Sequence, residues 1–441
     1  MRFSRIALAA LALPLVAGCS SLVDNQKMGP LGTPSGGAMF ANYIAIGTSI
    51  SAGVQSGGIS DVSQRAAFPY LLAQAMGLSP NANWFYPGFT APGCPAPYSD
   101  PLTGDRVGGG NDSLGAGSAC NLVSPLSVPP RQNYYNNLGV PSLRAKHVLN
   151  IKDLTFPATD TLFLSQFITG GRNPIDILMA AKPTFVTLEV GGNDVLSAAT
   201  QGDSTLLTPV AAFEAQFTAI ADSIALTGAK VAVINVPNVT VIPHFSAGVI
   251  LYCLKNGGPF CPAAAGLPPA TLPYSLPNFA VDSSCAPSGV NTTAQGDSMF
   301  VTFPAIAQIT GVLSAGGGAY LNCGLGVAQV NKGAGFVTAG AVLNKATTKA
   351  VVTNVLTLDA FIAQQATTRG WALVDFNGLL AANSNLIPKF PVFAAGPPPT
   401  VSFGPLVSLD GIHPTPAGHK AIADAFVAAI NTKYGTTLTA P

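Results

Sequence analysis

Apolar positions fall into two kinds of run along the chain. Four runs are short and nearly continuous: Phe40 to Ile46, closed by Gly47, then Phe185 to Val190, Val231 to Val236 and Ala372 to Phe376. Such runs, of strand length and without polar alternation, predict strands buried on both faces of a parallel sheet. Between them the period lengthens. Pro209 to Leu226 sets Val210, Phe213, Phe217, Ile220 and Ile224 near one face and stops before Gly228, which predicts a helix with a C-terminal glycine. Leu356 to Thr368 repeats the plan, ending at Arg369-Gly370, and Thr415-Pro416 marks the start of a last helix running to about Asn431. Strands alternating with helices predict an α/β domain with right-handed crossovers, and no internal repeat interrupts it.

Three stretches break the rhythm. Residues 19–37 carry Gly, Pro and little periodicity and read as a flexible tether. About 84–133 and 244–344 are rich in Pro, Gly, Ser and Ala and read as insertions into one domain spanning 38–441. Ahead of the tether, Arg2 and Arg5 precede an apolar stretch from Ile6 to Val16 and the small-residue site Ala17-Gly18-Cys19, the plan of a signal peptide over residues 1–18. Eleven apolar residues are too few for a bilayer span, which needs roughly 20.

Composition narrows the partners. Lys and Arg number 20 against 19 Asp and Glu, a net charge of +1 with no basic stripe, which argues against nucleic acid. Only 9% of the 441 residues are charged and 48% are apolar, sparse charge for a freely diffusing cytosolic protein, so an extracytoplasmic location is expected. Apart from Cys19, six of the seven cysteines remain, an even number that reads as disulfides in an exported chain. Short loops close most readily, which favours Cys94 with Cys120, Cys253 with Cys261 and Cys285 with Cys323 among the possible pairings. Their spacing does not suggest zinc, and neither metal nor cofactor is expected.

Three short blocks carry candidate chemistry. Gly47-Thr48-Ser49 sets a serine just beyond the first strand, where α/β sheets place ligands. Gly191-Gly192-Asn193-Asp194 follows the strand ending at Val190 and offers a side-chain amide to a developing oxyanion. In Asp410-Gly411-Ile412-His413, a carboxylate and an imidazole lie three positions apart, so Asp410 can hold Nδ1 while Nε2 faces a hydroxyl. The other three histidines, His147, His244 and His419, suit structural or surface roles better.

In this order, the Gly-x-Ser, Gly-x-Asn-Asp and Asp-x-x-His blocks resemble the SGNH, or GDSL-type, hydrolases. Ala66 to Gln74 looks like the helix after that family's nucleophile, and Asn137-Leu138-Gly139-Val140-Pro141-Ser142 like its second block. The resemblance implies a flavodoxin-like, three-layer α/β/α sandwich that hydrolyses esters without a metal. Ser49 would be the nucleophile, His413 the general base and Asp410 its orienter, with the Ser49 N–H, the Asn193 side chain and an N–H of Ser142 or Gly139 holding the oxyanion. Two positions depart from the family pattern: Thr48 stands where Asp is usual, and Ser142 where Gly is usual. Cys19 likewise resembles the acylated cysteine of bacterial lipoproteins. With Ser20 and Ser21 after it and no Asp, an outer-membrane anchor is expected.

These readings imply a lipid-anchored serine esterase acting on carboxylic esters, with acyl or lipid esters favoured by the apolar insertions. A polysaccharide O-deacetylase of the same fold and a non-catalytic surface-binding lipoprotein are the competing expectations.

Overall fold

The structure, a computed structural model, describes residues 37–79, 82–109, 133–154, 161–257, 261, 276–333, 335–394 and 400–441. The expected signal peptide, Cys19, the tether up to residue 36 and Cys120 lie outside the described residues.

Five strands form the central sheet: β1 (Tyr43–Gly47), β2 (Asn137–Gly139), β3 (Phe185–Leu188), β4 (Lys230–Ile234) and β5 (Ala372–Val374). All pairings are parallel, and the spatial order is β2-β1-β3-β4-β5, the order of flavodoxin-like sheets. Alternate residues of each strand face opposite sides, which explains why the runs are mostly apolar. Ile44, Ile46, Val186, Leu188, Val231 and Val233 pack on one side against the helices α3 (Gly192–Gln201), α4 (Val210–Ala225) and α5 (Lys345–Arg369). Tyr43, Ala45, Phe185, Ala232 and Ile234 pack on the other against α2 (Phe68–Ala75) and α6 (Pro416–Tyr434), through Phe68, Leu72, Ile422 and Phe426. Helices thus cover both faces of the sheet. A fully buried Phe or Ile contributes about 1.5–3 kcal/mol, so the two apolar faces fix the order of the layers.

Several boundaries differ from those expected. β1 begins at Tyr43 because Gly37–Phe40 winds into a 3₁₀ turn that lays Phe40 edge-on against Phe185, with ring centroids 4.9 Å apart. The helix expected from Leu356 starts at Lys345, where the Asn344 side chain accepts the Thr347 N–H at 2.9 Å. Its first turns are rich in Thr, Lys and Ala and carry little apolar periodicity. α6 ends at Tyr434, capped by Gly435 in the left-handed region.

The first insertion begins later than residue 84. Trp84 is wholly buried and stacks on Tyr43 at 5.9 Å, and Tyr86 stacks on Trp84, so the aromatic run belongs to the core beneath the sheet. The second insertion builds its own core under two small sheets of four and three strands and carries the disulfides Cys253–Cys261 and Cys285–Cys323. Cys94 is disulfide-bonded, and its expected partner lies outside the described residues. Among the described residues, no helix is long and apolar enough to cross a membrane.

Candidate active site

β1 and β3 are neighbours in the sheet, and the chain leaves their C-terminal ends on either side of the point where the strand order reverses, the usual ligand position in such sheets. The turn after β1 opens the short helix α1 (Ser49–Ala52), capped by the Thr48 hydroxyl. Gly47 is required there, because a Cβ would collide with the Ser51 side chain and the Glu189 carboxylate. Ser49 sits at the lip of this turn, 9% exposed.

The loop before α6 meets it. His413 Nε2 lies 2.8 Å from Ser49 Oγ, and His413 Nδ1 lies 2.7 Å from Asp410 Oδ2. Asp410 also accepts the N–H groups of Ile412 (2.9 Å), His413 (2.8 Å) and Gly57 (2.6 Å), the last from the turn after α1. Burial alone would raise its pKa, but the attraction of His413 and these hydrogen bonds hold the carboxyl well below the usual carboxylate range. An ionised Asp410 on Nδ1 fixes the tautomer that leaves Nε2 unprotonated toward Ser49.

The third block closes the site. Gly191 adopts φ +108°, and a Cβ there would collide with Val236. Two consecutive side chains of α3 then hold the segment after β2. Asn193 Nδ2 donates to the Leu143 carbonyl at 3.0 Å, and Asp194 accepts the Ala145 N–H at 3.1 Å and the Thr208 hydroxyl at 2.7 Å. Burial pushes the Asp194 carboxyl up to about 6, against the pull of these donors. Between them, Ser142 takes φ +59°, in the left-handed region where the resemblance leads one to expect glycine.

The two candidate donors differ. The Gly139 N–H is taken by Asn137 Oδ1 at 3.0 Å, and a Cβ at Gly139 would collide with the backbone of Ala52. Gly139 therefore serves the close packing of β2 on α1. Among the described residues, nothing accepts the N–H of Ser142 or of Ser49.

A cleft lined by Ser49, Asn193 and His413 runs away from these groups, with about 850 Å³ of space including the solvent at its mouth. Its walls are almost wholly apolar, among them Leu196, Val239, Ile242, Phe376, Leu379 and Ile412. The remaining histidines are buried. His147 and His244 are each pushed down to about 4 and His419 to about 3, chiefly by burial. His244 Nδ1 lies 3.2 Å from the Asp410 carbonyl and its N–H donates to the Gly411 carbonyl, so the second insertion props the loop that carries the imidazole. Among the described residues, no three His, Cys, Asp or Glu side chains converge as metal ligands would.

Sequence patterns did not single out Glu189 or Gly57, and gave no role to Asp194 within its Gly-x-Asn-Asp block. Glu189 gave one signal, a carboxylate at the end of an otherwise apolar strand. No family model and no curated protein matches the chain.

Proposed function

We propose that this protein is a serine esterase of the SGNH type that hydrolyses carboxylic esters with apolar acyl groups. The observation that carries the reading is the unbroken hydrogen-bonded relay from Asp410 through His413 to Ser49, opening onto an apolar cleft. His413 takes the Ser49 proton as Oγ attacks the ester carbonyl. The oxyanion is held by the N–H groups of Ser49 and Ser142 and by the second N–H of the Asn193 amide. His413 then protonates the leaving alcohol, and a water activated by the same imidazole releases the acid and restores Ser49.

The cleft favours acyl chains over acetylated sugars, because its walls offer few polar groups for a carbohydrate ring. The reading extends to location: the enzyme works at the cell envelope, held at the outer membrane through an acylated Cys19. A Cys19→Ala variant recovered in the soluble fraction would support the anchor, and one that stays with membranes would count against it.

The test of function is hydrolysis of p-nitrophenyl esters from acetate to palmitate, with Ser49→Ala alongside. Turnover that is lost in the variant and rises with chain length beyond acetate is expected. An optimum at acetate would favour the O-deacetylase reading, and equal turnover by Ser49→Ala would overturn the assignment.

A further inference from the structure

Glu189 stands directly after β3, 5% exposed, and no cationic side chain among the described residues pairs with it. A buried, unpaired carboxylate is costly unless hydrogen bonds compensate. All its donors come from the two residues bracketing the nucleophile. Oε2 accepts the Thr48 N–H at 2.8 Å, the Ser51 N–H at 3.3 Å and the Ser51 hydroxyl at 2.9 Å, while the Thr48 hydroxyl reaches Oε1 at 2.7 Å and Oε2 at 2.9 Å.

An account of the turn's N–H groups gives the arrangement its meaning. Those of Thr48 and Ser51 go to Glu189, and that of Ile50 goes to the Thr48 hydroxyl at 3.4 Å. Only the Ser49 N–H is left without an acceptor among the described residues. That N–H and the Ser49 Oγ therefore have their directions set by their neighbours' bonds to one carboxylate.

We infer that Glu189 is a positioning residue for the nucleophile: it clamps Thr48 and Ser51 so that the Ser49 hydroxyl and N–H both face the reacting carbonyl. The inference rests on the esterase reading of Ser49. It predicts a loss in the chemical step without a loss in substrate binding, since Glu189 works through the turn and leaves the far walls of the cleft alone.

The experiment compares Glu189→Ala, Glu189→Gln, Thr48→Asp and the Thr48→Asp/Glu189→Gln pair in the full chain. Each is read by kcat and KM on a p-nitrophenyl ester and by the rate at which a fluorophosphonate modifies Ser49. A small misplacement of a nucleophile costs up to about 100-fold, so Glu189→Ala is expected to lose about 10- to 100-fold in kcat and in phosphonylation rate, with KM within about twofold. Glu189→Gln keeps an oxygen for the N–H groups and turns its NH₂ to the Thr48 hydroxyl, and is expected to remain within about threefold of wild type.

Thr48→Asp sets a second carboxylate against Glu189, where the two must share a proton. Its loss is expected to be recovered in the pair with Glu189→Gln. Should Glu189→Ala fail to fold, this pair decides the question. Full kcat in Glu189→Ala, or a Thr48→Asp loss that Glu189→Gln does not relieve, overturns the clamp while leaving the esterase standing. Wild-type turnover indifferent to Ser49→Ala overturns the esterase itself.

Discussion

Two loops meet at Ser49, and each is organised by one carboxylate. In the loop before α6, Asp410 gathers three backbone N–H groups and also faces an imidazole, which keeps the carboxyl ionised well below its ordinary range. In the turn after β1, Glu189 gathers two backbone N–H groups and two hydroxyls but faces no base, and burial pushes its pKa up in spite of them. The same side-chain chemistry thus serves two ends. Beside a titratable partner, the charge itself is used, because it sets a tautomer and stabilises an imidazolium; beside N–H groups alone, the oxygens act as a clamp. The two carboxylates should therefore respond differently to substitution by their amides.

The largest separation is expected at Asp410. Asp410→Asn keeps the shape but favours the wrong imidazole tautomer, and kcat should fall about 10⁴-fold, far beyond the few-fold effect expected of Glu189→Gln. Equal losses in the two amide variants, measured on one ester, would break the comparison. Next come the oxyanion donors Asn193 and Ser142, to which neither carboxylate is hydrogen-bonded. Asn193→Ala removes one donor and should cost about 10²- to 10³-fold in kcat. Ser142→Val forces a β-branched residue toward φ +59°, and should cost about tenfold by moving the N–H it carries.

The smallest effect is the most specific to the comparison, and it lies in stability against pH. Glu189 has a folded pKa raised above its ordinary 4.5, so its contribution is whole below that pH and is lost as pH rises. Asp410 has one lowered below 3.8, so its contribution is present above that pH and is lost only in stronger acid. Thermal melts from pH 5 to 8 should show Glu189→Gln gaining on wild type as pH rises. Asp410 stays ionised over the same range, so its own titration adds no such drift to the deficit of Asp410→Asn. Parallel curves for the two variants would show that the carboxylates are not distinguished by charge.

How much of this was legible in the sequence follows from how each feature is encoded. The strands of the sheet that lie inside layers announce themselves, because burial on both faces makes most of their residues apolar. β2 is only three residues long and was readable only through its resemblance to a family block. The pairing of Ser49 with His413 and Asp410 was legible only through the order of the three blocks and their resemblance to one family. Glu189 was not, because its meaning lies in donors 138 to 141 residues away, and a lone carboxylate at a strand end carries no spacing rule. Trp84 was misread for the opposite reason: a Pro- and Gly-rich neighbourhood hid an aromatic run that packs under the sheet. Gly139 and Ser142 were equivalent as letters, and only the Asn137 side chain, which occupies one of the two N–H groups, separates them.

The most direct test of the central claim is mass-spectrometric mapping of a fluorophosphonate adduct on wild type and on His413→Ala. Stoichiometric modification of the peptide bearing Ser49 in wild type, lost in the folded His413→Ala protein, is the expected result. Modification of another serine, or none in a folded wild type, would contradict the assignment of Ser49 as a nucleophile activated by His413.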